Sequence, residues 1–267
     1  MAPIPAPVSG FDQLVAHVAR VLDDIERVAD RFLSTCGAWL MPLGPLAGAL
    51  RADLAAFKTQ IDKILDTVGK MISEPGRPVT LWQAGDAWME QVSPQAGNLV
   101  GTLTSAYMEA DDAWKGPAAT AYLDTLPAQK DAAAALHEVT GKVGITLQET
   151  GLTIAAFWMG LLGAVAGLLA QLLGASAAAA TGVGAPPAAV VAVAATTRFL
   201  AMLAAMTLAA LAALHEISSN QSALVVALND NAAFPGPPAG RWPVSTTGRM
   251  SDGSMSDGDG SDWQLAY

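Results

Sequence analysis

The sequence predicts an all-α protein: long antiparallel helices in a helical bundle, then an apolar helical hairpin rich in Ala and Gly. Three observations carry this. Apolar residues recur at alternating spacings of three and four over long stretches. Alanine is abundant while aromatic residues make up only 6%, which suits helices in close contact better than a β-sandwich with a bulky core. Pro and Gly cluster at points that divide the chain into segments of helical length.

Residues 1–10, Met-Ala-Pro-Ile-Pro-Ala-Pro-Val-Ser-Gly, read as a flexible N-terminus. They offer neither a basic n-region nor an apolar h-region, so no Sec-type signal peptide is expected. Phe11, Leu14, Val18, Val21, Ile25, Val28 and Phe32 then form the seam of a first amphipathic helix, closed by Gly37 and Pro42-Leu-Gly44-Pro45. Leu50, Leu54, Phe57, Ile61, Ile64, Val68 and Met71 repeat the seam, with Arg, Asp and Lys on the other faces, up to Glu74-Pro75-Gly76. Residues 11–73 are therefore an expected hairpin.

A third helix opens at Thr80 as N-cap and carries Trp82, Met89, Val92, Leu99, Leu103 and Tyr107. Pro94 should bend it, because proline donates no backbone hydrogen bond and crowds the preceding turn. A fourth helix runs from Ala118 through Tyr122, Leu126, Leu136, Val139, Val143 and Leu147, with a second kink expected at Pro127. The hairpins 11–73 and 80–150 have matching seams, which predicts a single-chain four-helix bundle over 11–150.

The junction of the second hairpin is Asp111-Asp-Ala-Trp114-Lys-Gly116-Pro117-Ala-Ala-Thr-Ala-Tyr122. Gly116 suits the left-handed position after a helix, Pro117 the first position of the next, and the Trp114 indole can fold over the turn. Turn chemistry alone accounts for these residues. Residues 81–150 also resemble the W-x-G family of type VII secretion substrates, in particular its long actinobacterial members, with Trp114 and Gly116 on the two named positions. The resemblance implies a helical hairpin that pairs with another hairpin and leaves the cell by a non-Sec route. The family's trailing signal, Tyr and an acid four residues on, is matched only by Tyr107 and Asp111, ahead of the turn. Either a partner protein supplies the signal, or the chain is not exported.

Residues 151–230 form the expected hydrophobic hairpin and terminal helix. Leu152 to Gly174 is 23 residues with one strongly polar side chain, Gln171, about 35 Å as a helix and long enough for a bilayer core of about 30 Å. Gly163 and Gly167 are spaced for close helix contact. Residues 175–187 read as a turn. The return segment, 188–214, presents Ala201, Ala205, Ala209 and Ala213 as a ridge of small residues suited to that glycine face. Arg198 is the only charge in 151–214; in mid-bilayer it would cost about 2.5–3.5 kcal/mol. Two placements stay open: a membrane-inserted hairpin with Arg198 facing its partner helix or water, or a hairpin buried in a soluble bundle with Arg198 paired to an acid. Helical pattern resumes over 217–228. Residues 231–267, dense in Gly, Ser, Asp and Pro, read as a disordered acidic tail.

The census for chemistry is empty. The three histidines, His17, His137 and His215, fall on different helices without Cys or carboxylate at ligand spacing, and each reads as a surface or boundary residue. Cys36 sits in an apolar helical pattern and reads as a buried, inert thiol. No nucleophile elbow, phosphate-cradling loop or zinc signature occurs. A net charge of −10 with no basic stripe argues against nucleic acid as a partner. The expectation is a non-enzyme without cofactor or metal: a W-x-G-type secreted or envelope-associated protein that acts by protein association, with a helical partner or itself, and by membrane insertion. The alternatives are a resident membrane or pore-forming protein and a soluble self-assembling subunit.

Overall fold

The computed structural model describes residues 3–41, 47–115, 117–229, 233–235, 241–244 and 264–265, and within these the side chains of 105–118, 220, 221, 228, 264 and 265 are left aside. The fold is all-α. Its elements are α1 (Ala6–Ser9), α2 (Phe11–Ala38), α3 (Ala47–Ser73), α4 (Pro78–Ala87), a π-helical turn (Trp88–Val92), α5 (Ser93–Ala113), α6 (Pro117–Ala179) and α7 (Ala185–Leu228). Trp114–Lys115 and Gln264–Leu265 make a two-residue antiparallel backbone pairing.

Several boundaries depart from the sequence reading. The N-terminal segment is not free throughout, since α1 forms there and buries Val8 completely. The third helix begins at Pro78, two residues before the expected cap, because proline loses nothing at a first helical position, whose N–H has no partner in any case. Pro94 acts as expected on the turn before it. It cannot donate to the Glu90 carbonyl, and the chain widens into the π turn, with the Ser93 N–H bonded to Trp88 O five residues back. α6 is one helix of 63 residues that takes in Pro127 and runs on through Gly151, where the sequence suggested two helices. α7 likewise runs unbroken for 44 residues. The turn between them is shorter than 175–187: Gly182, at φ 75°, takes the left-handed bend, and Pro186 and Pro187 fall in the first turn of α7.

The chain divides into two compact units, and their composition differs from the expected four-helix bundle over 11–150. One unit holds 81–149 and 216–267 with the first three residues; the other holds 4–80 and 150–215. The hairpin α2–α3 thus shares its unit with the apolar stretches of α6 and α7. Hydrophobic matching explains the choice. The α2–α3 seams present Phe, Ile and Leu, and the apolar stretches supply large side chains that would otherwise meet water, so joining them removes apolar area from water on both partners.

In the second unit the core consists of Phe11, Val18, Ile25, Phe32 and Cys36 from α2, Leu50, Phe57, Ile61, Ile64 and Val68 from α3, and a buried row on each long helix. Phe32 and Phe57 meet edge to face at 5.1 Å, and Phe11 meets Trp158 likewise at 6.1 Å. The Trp158 indole N–H donates to Pro75 O at 3.1 Å, and Gln60 donates to the Thr197 hydroxyl at 3.0 Å while accepting from Thr196. The Trp39 indole lies where a Cβ on Gly182 would stand, only 2.7 Å away.

In the first unit, α4 and α6 cross through glycine. A Cβ on Gly85 would lie 2.5 Å from Gly144 O, and one on Gly144 would lie 2.8 Å from Gly85 O. The two backbones meet there closely, with the Met89 and Gln148 side chains alongside.

Candidate membrane-contact surface

α6 and α7 are both long and apolar enough to cross a membrane, and in the most apolar 18-residue stretch of each only a third of the residues are buried. The arrangement in the second unit explains that fraction. On α6 the buried row is Trp158, Leu161, Val165, Leu168 and Leu172; on α7 it is Ala188, Ala192, Ala195, Phe199 and Leu203. Both rows follow helical spacing, so one stripe of each helix is covered. Within 150–215 many of the remaining residues of both helices are apolar and exposed. Leu208 is 68% exposed and Leu211 56%, with Leu152, Met159, Leu173, Val190, Val191 and Met202 also exposed. Large apolar residues exposed in this number on one hairpin make it a candidate contact surface.

The small residues expected to join the two helices lie on the open side. Gly163 and Gly167 are exposed with nothing within 4 Å of an added Cβ, and Ala201, Ala205 and Ala209 are exposed too. The expectation that they pack the hairpin internally is corrected: burying Leu and Phe in their place removes more apolar area from water. The close approach between these helices occurs at Gly160, where a Cβ would stand 2.9 Å from the Met206 methyl.

Arg198 is also exposed, so within the fold it is not a buried charge, and the structure shows no ion pair for it among the described residues. It lines a shallow groove of about 240 Å³ together with Gly163, Gly167, Gln171 and Met202. The glycines leave the room along which an arginine stem can lie. Thus the polar groups of an otherwise apolar stretch, Gln171 and Arg198, share one groove.

The W-x-G segment is placed by backbone alone. α5 ends at Ala113, Trp114 enters the pairing with Leu265, and Pro117 opens α6. Gly116 and the side chains of Trp114 and Pro117 lie outside the described residues, as does most of 231–267.

One polar contact between the helices has no counterpart in the sequence reading. Ser93 is buried, and the His137 Nδ1–H donates to Ser93 O at 2.7 Å while the serine hydroxyl stands 2.9 Å from the same nitrogen and 3.3 Å from His137 O. With Nδ1 serving as donor, the ring does not act as base toward that hydroxyl, and the contact is a clamp between the helices. Gly97 and Gly141 flank it, and the pair Gly141 and Gly144 inside a helix was the one available signal. Cys36 is fully buried, and burial pushes its thiol up to about 11, as expected of an inert cysteine. His17, His137 and His215 are exposed. Among the described residues no three His, Cys, Asp or Glu side chains could hold a metal ion together.

No protein family, curated protein or solved structure matches the chain.

Proposed function

We propose that this chain is a non-enzymatic, membrane-associating helical protein whose working part is the apolar hairpin of residues 150–215. The observation that carries the reading is the open side of that hairpin: exposed Leu, Met and Val at helical spacing with one charge, on helices of membrane-spanning length. Water is a poor medium for such a surface and a bilayer a good one.

Flotation with liposomes tests this. The wild-type chain should rise with vesicles, and Leu208→Glu with Leu211→Glu on the open side should leave it at the bottom of the gradient. A wild type that stays at the bottom, or a double variant that floats as well, overturns the reading.

The W-x-G resemblance of residues 81–150 extends the proposal to export by a type VII route with a helical partner. That extension rests on Trp114 and Gly116 between two long helices. It requires the protein to be found in culture medium in dependence on a type VII secretion ATPase, and Trp114→Ala to stop it there.

A second reading is favoured by the exposed Gly163, Gly167, Ala201, Ala205 and Ala209, which permit close approach of another helix. Under it the open side joins a second copy. Particle size with and without detergent separates the two: an assembly that persists at constant size in water without detergent is the mark of self-association.

A further inference from the structure

The α2–α3 hairpin and the apolar hairpin have opposite requirements in a membrane. None of the charged residues of α2 and α3 is buried; Arg20, Asp23, Arg27, Lys58, Asp62 and Lys70 all lie on the outer surface. A hairpin that spans a bilayer is surrounded by lipid on every side, and α2–α3 could not accompany it without carrying those charges into hydrocarbon. The side chains of the apolar hairpin buried in this unit, in contrast, are as suited to lipid as the exposed ones: they include Leu161, Val165, Leu168, Leu172, Phe199 and Leu203, and no charge occurs in 151–214 besides Arg198.

Polar ties across the attachment include Gln60 to Thr196 and Thr197, and Trp158 to Pro75, beside apolar contacts such as Phe11 with Trp158. α2 and α3 also hold one another, through the Phe32–Phe57 contact, so they can leave as a pair. The connection from α3 to α4 is short and contains Gly76 at φ 85°, a position at which the backbone can turn.

We infer that α2–α3 is a detachable cover: the structure is the closed form, and crossing of a bilayer by residues 150–215 requires the cover to swing away, so that acyl chains replace it on the inner side. The inference rests on the membrane reading above and adds a step to it. A protein that merely lies on the surface through its open side has no need to open.

Cys36, the only cysteine and fully buried in α2 within this unit, reports the opening without mutation. Alkylation by a membrane-impermeant maleimide should be slow in solution and at least tenfold faster once phosphatidylcholine and phosphatidylglycerol vesicles are added, with the protein then resisting carbonate extraction. A carbonate-resistant protein whose Cys36 reacts as slowly as before overturns the inference. So does a protein that floats with vesicles yet is stripped by carbonate, although the membrane reading then stands. A second variant tests necessity. In a Cys36→Ala background, Gln60→Cys and Thr197→Cys are joined by a reducible bis-methanethiosulfonate linker. The linked protein should be stripped by carbonate and the reduced protein retained. Equal retention of both overturns the inference, and failure of wild type and variant alike to float removes the membrane reading together with it.

Discussion

Gly85→Ala is the sharpest test of the α4–α6 crossing. In an ordinary helix interior the change stabilises by up to about 1 kcal/mol, because glycine has more backbone freedom to lose. Here the added Cβ would lie 2.5 Å from Gly144 O, 2.8 Å from Gln148 Cγ and 3.2 Å from Gln148 N. A comfortable carbon–oxygen separation is about 3.3 Å, so the helices must part by roughly 0.8 Å, and two of the three obstacles are backbone atoms that cannot rotate aside. Overpacking of this kind costs about 1–3 kcal/mol. With a propensity gain of about 1 kcal/mol subtracted, the expected net loss is up to about 2 kcal/mol. Gly101 in α5 is the control, since nothing lies within 4 Å of its added Cβ; Gly101→Ala should stabilise by about 0.5–1 kcal/mol. For a chain of this size each kcal/mol moves the melting midpoint by about 2–4 °C. Far-ultraviolet circular dichroism of the two variants against wild type should therefore show shifts of opposite sign. If Gly85→Ala raises the midpoint as Gly101→Ala does, the close crossing is not present and the reasoning fails.

Trp158→Phe keeps the ring that meets Phe11 but removes the N–H bonded to Pro75 O, and should lower stability by about 1 kcal/mol in urea titration. Cys36 gives a pH dependence with a definite sign. Its thiol is held protonated to about 11 in the fold against 9.0 for the ordinary group, so the unfolded chain ionises first, and the associated stability is complete below pH 9 and declines as pH rises toward 11. The decline should be on the order of 2 kcal/mol and absent in Cys36→Ala, read from unfolding midpoints across that range. Trypsin supplies a further test, because Arg198 is the only Lys or Arg between Lys142 and Arg241. Protein in solution should be cut after Arg198, which is exposed, while vesicle-bound protein with its hairpin inserted should yield the intact fragment 143–241 by mass spectrometry; equal cutting in both states contradicts insertion.

The helical class and most helix positions were legible because amphipathic periodicity is a local property. The seams Phe11 to Phe32 and Leu50 to Val68 match the buried residues of α2 and α3 closely, since a stripe of large apolar groups on a polar helix has only one side to bury. Helix ends are less legible: Gly151 and the run around Leu214 bound segments by composition, yet both lie inside long helices, because a lone glycine weakens a helix by too little to end one whose neighbours favour it.

Facing was not legible in the apolar half. Where a helix is hydrophobic all round, periodicity gives no preferred side, and spacing rules chose the glycines and alanines for the inside. The tertiary structure instead buried Leu161, Leu168, Leu172 and Phe199 and left Gly163, Gly167, Ala201, Ala205 and Ala209 outside with Arg198. The sequence by itself thus determined that the chain is helical and that 151–214 is an apolar stretch with a single charge, Arg198. Only the tertiary structure decided that α2–α3 joins this stretch and which side of it stays open. The reason is physical: secondary structure follows from neighbours along the chain, whereas pairing of helices is settled by comparing the apolar area that each pairing would remove from water, and that comparison exists only in three dimensions.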